Sequence, residues 1–170
     1  MGSNLSGKKV VIFGGTGFIG SHLVKILCKE ACQINIISRS PKSSQSLFFA
    51  NDPGQIEFTN INEYTQDNVN LVTQNCDVIF NLIGILAESK KFKFEFVHSI
   101  IPEMISKAAK NNKIRNLVHI SALNVDRIKT SKYALSKNLG EKKINEIFPN
   151  AVIVRPGVVF GKGDNFTNFF

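Results

Sequence analysis

Gly14, Gly17 and Gly20 form the first group of residues whose spacing points to chemistry. They stand in VVIFGGTGFIGSHLVKIL, between a short apolar run and an amphipathic stretch. Glycines at such a turn let the backbone approach a diphosphate, and the amides that open the following helix attract its negative charge. This context, a predicted strand followed by a predicted helix, favours a working dinucleotide site over a relic of one.

The end of the second predicted strand indicates which dinucleotide the turn would hold. An acidic side chain there binds the adenosine ribose of NAD(H) and repels a 2′-phosphate. This chain has Ser38 followed by Arg39 at that position. A guanidinium beside a hydroxyl suits a phosphate, so the pair favours NADP(H), with NAD(H) as the alternative. Arg39 could instead stack on adenine or face solvent.

Tyr133 and Lys137 are the second group that could do chemistry. They lie four residues apart in SKYALSK, on one face of a predicted helix. A lysine can lower the pKa of a neighbouring phenol and bind the nicotinamide ribose, while the tyrosine exchanges a proton with a substrate oxygen during hydride transfer. A tyrosine and a lysine at this spacing usually lie on the surface without a function. Their position after the glycine turn and the fifth strand makes the pair a specific signal for this chemistry.

Strands and helices are predicted in strict alternation by the hydrophobic pattern. The β-branched runs cover 10–14, 34–38, 55–59, 77–84, 117–121 and 151–155, and the helical patterns cover about 18–30, 66–75, 95–112 and 132–148. Alternation without hairpin signals is typical of a doubly wound α/β fold, whose parallel sheet is buried on both faces. The segment 38–54 is the most loop-like, with room for a short helix.

Length and composition predict one domain. At 170 residues and 43% hydrophobic content, the chain can bury a single core. We therefore expect a single NAD(P)-binding Rossmann domain over 1–170, without its C-terminal substrate part, because the chain stops at FTNFF inside a further helical pattern.

Charge and cysteine usage exclude some function classes. The formal charge of +8 comes from scattered lysines that do not cluster with aromatic residues, which disfavours an RNA- or lipid-binding module. Cys28, Cys32 and Cys76 lack the spacing of a zinc site and the even count of a disulfide framework. We expect them to pack in the core in a reducing compartment, without a metal.

Membrane and targeting signals are missing from the sequence pattern. No apolar run reaches the roughly 18 residues that a membrane span needs, and the first strand leaves no room for a presequence. The expected location is therefore the cytoplasm of a bacterium.

These motifs together resemble the short-chain dehydrogenase/reductase superfamily. GGTGFIG, the strand-four NLIG and the Tyr133/Lys137 pair follow one another in the family's order. The chain is most similar to the atypical members related to the nucleotide-binding accessory subunit of respiratory complex I, with bacterial epimerase/dehydratase-like relatives. That similarity rests on NLIGIL, VHISALNVD, SKYALSKNLGEKKINEIFPNAVIVRPGVVFG and the following GDNFTNFF.

The resemblance implies tight NADPH binding in a mostly structural role, at the membrane arm of a respiratory assembly and peripheral to the inner membrane. It implies that the pyrophosphate lies on the turn formed by Gly14, Thr16, Gly17, Phe18, Ile19 and Gly20, and that Ser38 and Arg39 meet the 2′-phosphate. It also implies that Asn60 meets adenine, that Ile83 and Gly84 line the cofactor, that Tyr133 and Lys137 hold the nicotinamide ribose, and that Pro156 and Val158 flank the nicotinamide.

Some positions depart from the family pattern. Catalytic members carry a second Ser or Thr after the first serine that follows strand five, whereas here Ser121 is followed by Ala122. The hydroxyl that orients the substrate is therefore missing unless Ser121 replaces it. His98 stands where an asparagine is usual, and His22 and His119 are interpreted as packing or surface residues.

Two functions stay open from the sequence. In one, the chain is a nucleotide-binding subunit whose cofactor contributes stability. In the other, it is an NAD(P)-dependent reductase, epimerase or dehydratase that uses Tyr133, Lys137 and Ser121. Ala122 favours the first and the intact Tyr133/Lys137 pair favours the second.

Overall fold

One parallel sheet organises the chain. The computed structural model describes residues 5–39, 54–161 and 164. Within them the strands lie in the order β3-β2-β1-β4-β5-β6. Their bounds are Lys9–Phe13 (β1), Gln33–Ser38 (β2), Ile56–Asn60 (β3), Val78–Asn81 (β4), Asn116–Ile120 (β5) and Val152–Val154 (β6). The predicted doubly wound α/β fold is confirmed, and the strand order reverses between β1 and β4, where such sheets bind ligands.

The helices lie close to their predicted positions. Their bounds are Phe18–Leu27 (α1), Gln66–Val72 (α2), Ile101–Asn111 (α3) and Lys132–Ile147 (α4). Side-chain caps begin two of them: the Thr65 hydroxyl accepts from the Asn68 amide at 3.2 Å and the Ser131 hydroxyl accepts from the Ala134 amide at 3.4 Å. The predicted loop over 38–54 lies mostly at 40–53, outside the described residues.

Two predicted elements differ from what the pattern indicated. The helix expected over 95–112 divides into a π-helical turn, Phe96–Ile100, and α3. The strand expected over 77–84 ends at Asn81, because the Asn81 side-chain oxygen accepts the Ile83 amide at 3.2 Å and turns the chain. Both irregularities lie beside the site described below.

Two apolar cores cover the sheet, one on each face. Val10 and Ile12 of β1 face α1, whereas Val11 and Phe13 face α3 and α4. Full burial of one such side chain contributes about 1.5–3 kcal/mol. The three cysteines are free and pack against these cores, as expected: Cys28, Cys32 and Cys76. None of the described helices is both long and apolar enough to cross a bilayer.

Helix α4 packs directly against the backbone of the π-helical turn at Gly140. A Cβ added there would overlap the His98 carbonyl oxygen and lie 3.1 Å from the His98 carbonyl carbon. This backbone contact fixes α4, which carries Tyr133 and Lys137, relative to the π-helical turn.

Candidate dinucleotide site

The β1–α1 turn requires glycine at two positions for reasons internal to the protein. Gly14 has φ +81°, and a Cβ there would lie 2.9 Å from the Leu82 carbonyl carbon. A Cβ on Gly20 would overlap the Gly14 carbonyl oxygen and lie 2.7 Å from the Gly15 Cα. The first glycine therefore lets the turn pass close to β4, and the second lets α1 begin close to β1.

Gly17 is less constrained from within the protein than Gly14 and Gly20. Its φ of −75° suits any residue, and a Cβ would meet only the Gly14 carbonyl oxygen, at 3.3 Å. Gly17 lines the main cavity and begins α1 without a side-chain cap or an acidic residue in the first turn. The first amides of α1 have no intrahelical acceptor. The open space at Gly17 therefore fits an anionic group from outside the chain, such as a diphosphate.

A cavity of about 660 Å³ lies at the carboxyl ends of β1, β2 and β4. Small-molecule sites typically measure about 300–1,000 Å³. Its wall includes seven of the residues predicted from the sequence: Gly14, Thr16, Gly17, Ser38, Arg39, Ile83 and Gly84. Segments far apart in the chain thus meet around one dinucleotide-sized space.

Arg39 lies at the rim of this cavity and stacks on Phe92. Its guanidinium carbon lies 4.1 Å from the ring centroid, and the Lys91 ammonium lies 5.7 Å from the same centroid. Stacking on Phe92 was not among the alternatives considered for Arg39, which were adenine and solvent. Two cations therefore meet beside the buried Ser38, at the end of β2.

Nine residues of the cavity wall were missed by the sequence interpretation, and four of them have polar, charged or aromatic side chains: Asn62, Tyr64, Lys91 and Phe92. The basic run KKFK at 90–93 was the available signal for Lys91. Burial raises the pKa of Tyr64 to about 12, against the lowering effect of the Arg39 charge. Tyr64 is therefore a neutral phenol near pH 7.

Eight of the fifteen predicted cofactor residues do not belong to the cavity wall: Phe18, Ile19, Gly20, Asn60, Tyr133, Lys137, Pro156 and Val158. Asn60 is exposed at the end of β3, and its amide donates to the Asn62 side chain at 2.9 Å, so that Asn62 lines the wall instead. The Pro156 carbonyl accepts the Leu123 amide at 2.8 Å. The Val158 side chain is exposed.

Phe18 and Ile19 line a second pocket beside the first helix. This pocket measures about 240 Å³, and its other lining residues are His22, Val159, Phe160 and Gly161. The side chains of Phe18 and Ile19, two of the turn residues predicted to hold the pyrophosphate, therefore face away from the main cavity. Their amides still open α1.

Lys137 lies behind Gly84 of the cavity wall, and Tyr133 lies one helical turn before Lys137 on α4. The Lys137 side chain is buried, its Nζ donates to the Ile120 carbonyl at 3.0 Å, and a Cβ on Gly84 would lie 3.5 Å from that nitrogen. The Tyr133 ring is half-buried and lies edge-on to His98, with centroids 5.2 Å apart. The structure thus brings Lys137 next to Gly84 in the loop after β4, with His98 between this loop and Tyr133.

The electrostatics of this pair differ from the expectation that lysine lowers the phenol's pKa. Burial raises the pKa of Tyr133. Burial also lowers the pKa of Lys137 to about 8, while the charge of Glu141 opposes that change. The lysine is held by the Ile120 carbonyl, and its charge does not offset the desolvation of the phenol.

His119 of β5 and Ser121, which follows the last residue of that strand, are both buried. In the described part of the chain, neither the Ser121 hydroxyl nor His119 Nε2 has a hydrogen-bond partner. His119 Nδ1 accepts the Asn81 side-chain amide at 3.0 Å, and burial lowers the pKa of His119 to about 3. His119 is therefore a neutral packing residue, as expected, whereas His22 is exposed and lies edge-on to Phe18.

Comparison with known proteins places this geometry in a family. The sequence profile of the NAD dependent epimerase/dehydratase family matches residues 10–169. Over 169 residues, the chain is 35% identical to "NADH dehydrogenase [ubiquinone] 1 alpha subcomplex subunit 9, mitochondrial" of Mus musculus, covering 99% of this chain and 45% of that protein. Over 162 residues it is 30% identical to the "NADH-ubiquinone oxidoreductase 40 kDa subunit, mitochondrial" of Neurospora crassa, covering 95% and 43%.

A solved structure shows the same fold. The UDP-glucuronic acid 4-epimerase of Bacillus cereus, in complex with NAD, superposes with a TM-score of 0.72 at 24% identity, over 90% of this chain and 58% of the enzyme. The chain spans about half the length of the curated relatives it matches. It therefore belongs to the NAD dependent epimerase/dehydratase family, and this membership supports a nicotinamide dinucleotide as its cofactor.

Proposed function

We propose that this chain is the NADP(H)-binding part of an accessory subunit of respiratory NADH:quinone oxidoreductase, peripheral to the membrane, in which the dinucleotide contributes stability. The observation that carries the proposal is Gly17, which faces the cavity and where an added Cβ would contact only the Gly14 carbonyl oxygen, so that the position leaves room for a diphosphate. The names of the mouse and Neurospora relatives support the respiratory assembly as the setting.

NADP(H) is proposed over NAD(H) because of the charges at the end of β2. Arg39 and Lys91 both lie near the Phe92 ring at the cavity rim, and Ser38 belongs to the same wall. A phosphate with close to two negative charges gains from a bidentate guanidinium and a second cation. NAD(H) has only ribose hydroxyls at this position and gains less.

The remaining predicted residues fit the rest of the cofactor. The Gly17 amide donates to the Gly14 carbonyl at 3.1 Å, so the amides that follow it at the start of α1 would bind the pyrophosphate. Asn62 and Tyr64 would border the adenine, and Gly84 would face the nicotinamide ribose beside Lys137. When bound, the dinucleotide would supply hydride chemistry. The chain's own residues would orient it and exclude water from the Gly84 end of the cavity.

A structural role for the cofactor is supported by the environment of the acid/base pair. Ala122 gives no hydroxyl next to Ser121, the pKa of Tyr133 is raised by burial, and Lys137 already donates to the Ile120 carbonyl. A tyrosine that shuttles protons works best with a pKa near the working pH. A bound ligand stabilises the fold by mass action without any turnover.

The alternative function is an NAD(P)-dependent reductase, epimerase or dehydratase. It is favoured by one observation, the placement of Tyr133 and Lys137 on one face of α4 at the Gly84 end of the cavity. Ser121, buried and without a partner in the described residues, would then be the substrate-orienting hydroxyl.

The two functions are separated by binding, turnover and co-purification of the full-length protein. We expect NADPH to bind and to raise the unfolding temperature, its nicotinamide absorbance to stay constant with ketones, quinones or nucleotide sugars, and respiratory-complex subunits to co-purify. Turnover that is lost in Tyr133→Phe, with no respiratory partner recovered, would replace this proposal with the enzyme.

Replacing Arg39 with aspartate should weaken NADPH binding by about 10- to 100-fold, since a charge-assisted hydrogen bond contributes about 1.5–3 kcal/mol. NADH binding should change only a few-fold. Arg127→Asp, which makes the same charge change at an exposed loop position away from the cavity wall, is the control. Fluorescence titration with both dinucleotides measures the difference, and equal losses would show that Arg39 does not hold the 2′-phosphate.

A further inference from the structure

His98 is fully buried in the π-helical turn and uses both ring nitrogens. Nε2 accepts the Ile85 amide at 3.1 Å, and Nδ1 lies 2.9 Å from the Ser136 hydroxyl oxygen. Ile85 belongs to the loop after β4, and Ser136 lies between Tyr133 and Lys137 on α4. One imidazole thus joins the cavity wall to the helix that carries the acid/base pair.

The bonds of His98 determine its tautomer. The Ile85 amide can only donate, so Nε2 carries no proton and Nδ1 does. Nδ1–H then donates to the Ser136 hydroxyl, which itself donates to the Tyr133 carbonyl at 2.7 Å. Burial, aided by the Lys137 charge, lowers the pKa of His98 to about 4, so the ring is neutral near pH 7.

Neighbouring rings and backbone pack closely around the His98 imidazole. Phe94 stacks on it with centroids 5.4 Å apart, and Tyr133 lies edge-on to both rings. Behind the ring, the His98 carbonyl faces Gly140 without room for a Cβ. In front of it, a Cβ on Gly84 would lie 3.9 Å from Nε2. π-Helical turns are rare and concentrate at functional sites, where they reorient a side chain.

We propose that His98 is a positioning residue, which ties the Gly84–Ile85 loop to α4 and so sets the nicotinamide-ribose end of the cavity. The proposal rests on the proposed dinucleotide function. Through Nε2 it holds the loop back from the cavity, and through Nδ1 and its edge contact it orients Tyr133. It touches neither the cofactor nor the reacting atoms.

Two variants of the full-length protein each keep one of the two hydrogen bonds that the His98 ring makes. In His98→Gln the amide oxygen reaches the place of Nε2 and can accept the Ile85 amide. In His98→Asn the shorter amide reaches only the place of Nδ1 and can donate to Ser136. We expect the glutamine variant to bind NADPH within a few-fold of the parent, and the asparagine variant to lose about tenfold, the value of one buried hydrogen bond.

Adenosine 2′,5′-bisphosphate would occupy only the adenosine end of the cavity. Its affinity therefore distinguishes a local change at the nicotinamide end from a loss of structure across the whole site. Its affinity should be the same in the parent and in both variants. If the asparagine variant binds NADPH as the parent does, or loses both ligands equally, His98 does not position the nicotinamide end. If the parent binds neither ligand, the proposed function fails and takes the positioning role with it.

Measurements without ligand test the hydrogen bond between the Ile85 amide and the His98 ring directly. ¹⁵N NMR should find the His98 proton on Nδ1, and amide hydrogen exchange at Ile85 should be slow in the parent and in His98→Gln but fast in His98→Asn. A proton on Nε2, or equal exchange in all three proteins, would overturn the proposal even where NADPH binds well.

Discussion

Replacing Gly17 with valine is expected to lower NADPH affinity by about 100-fold or more, because two charge-assisted amide bonds of about 1.5–3 kcal/mol each would be lost. The fold should survive. A Cβ at this position meets only the Gly14 carbonyl oxygen, at 3.3 Å, so the side chain extends into the space assigned to the pyrophosphate and not into the core. Titration of the variant with NADPH measures the loss, and circular dichroism with thermal unfolding checks the fold.

Two other glycines serve as matched controls for this variant. Gly157→Ala places a Cβ 3.9 Å from the Leu123 side chain, an ordinary contact, and should bind NADPH normally. Gly20→Val should unfold the protein, because its Cβ would overlap the backbone of Gly14 and Gly15. A folded Gly17→Val protein with unaltered affinity would remove the glycine turn from the cofactor site.

Acidification from pH 6.5 to pH 4 is expected to lower the free energy of unfolding by on the order of 5 kcal/mol. Burial lowers the pKa of His98 to about 4 and that of His119 to about 3, whereas both rings titrate near 6.5 when unfolded. Below pH 6.5 the unfolded chain therefore binds two protons that the native protein does not. The stability is fully present above pH 6.5 and is lost as the pH falls toward the folded values.

Denaturant unfolding at several pH values checks this dependence. The double variant His98→Gln, His119→Asn keeps an acceptor for the Ile85 amide and for the Asn81 amide but has no titrating ring, so its stability should change little over this range. The carboxyls of Asp77 and Glu103, whose pKa values are lowered by hydrogen bonds from neighbouring lysines and the Lys9 amide, lose their contribution mainly below this window. A parent protein with constant stability down to pH 4 would contradict the burial of the two histidines.

Much of the fold could be predicted because its signals are local. β-Branched runs separated by amphipathic stretches define β1 to β6 and the helices within a few residues, and the glycine turn lies between two of these elements. The parallel order of the sheet then brings Ser38, Gly84 and the turn to one edge. Even so, the end of β4 was placed wrongly, since a single side-chain bond from Asn81 to the Ile83 amide ends the strand.

Other parts of the site could not be predicted, because they depend on which distant segments of the chain come into contact. Phe92 and Lys91 follow β4, but the Phe92 ring lies against Arg39, the residue after β2, and Asn62 instead of Asn60 borders the cavity. The π-helical turn that points His98 inward has no distinct pattern in the sequence. These features arise from packing between elements that are far apart in the chain.

By itself, the sequence determined the alternation of strands and helices, the glycine turn between β1 and α1 and the residue types at the end of β2, because each depends on neighbours along the chain. Only the tertiary structure decided the direction in which the pKa values of Tyr133 and Lys137 move, the tautomer of His98 and the free space at Gly17. Desolvation, hydrogen-bond geometry and empty volume depend on groups brought together from distant segments, and no spacing of residues encodes them.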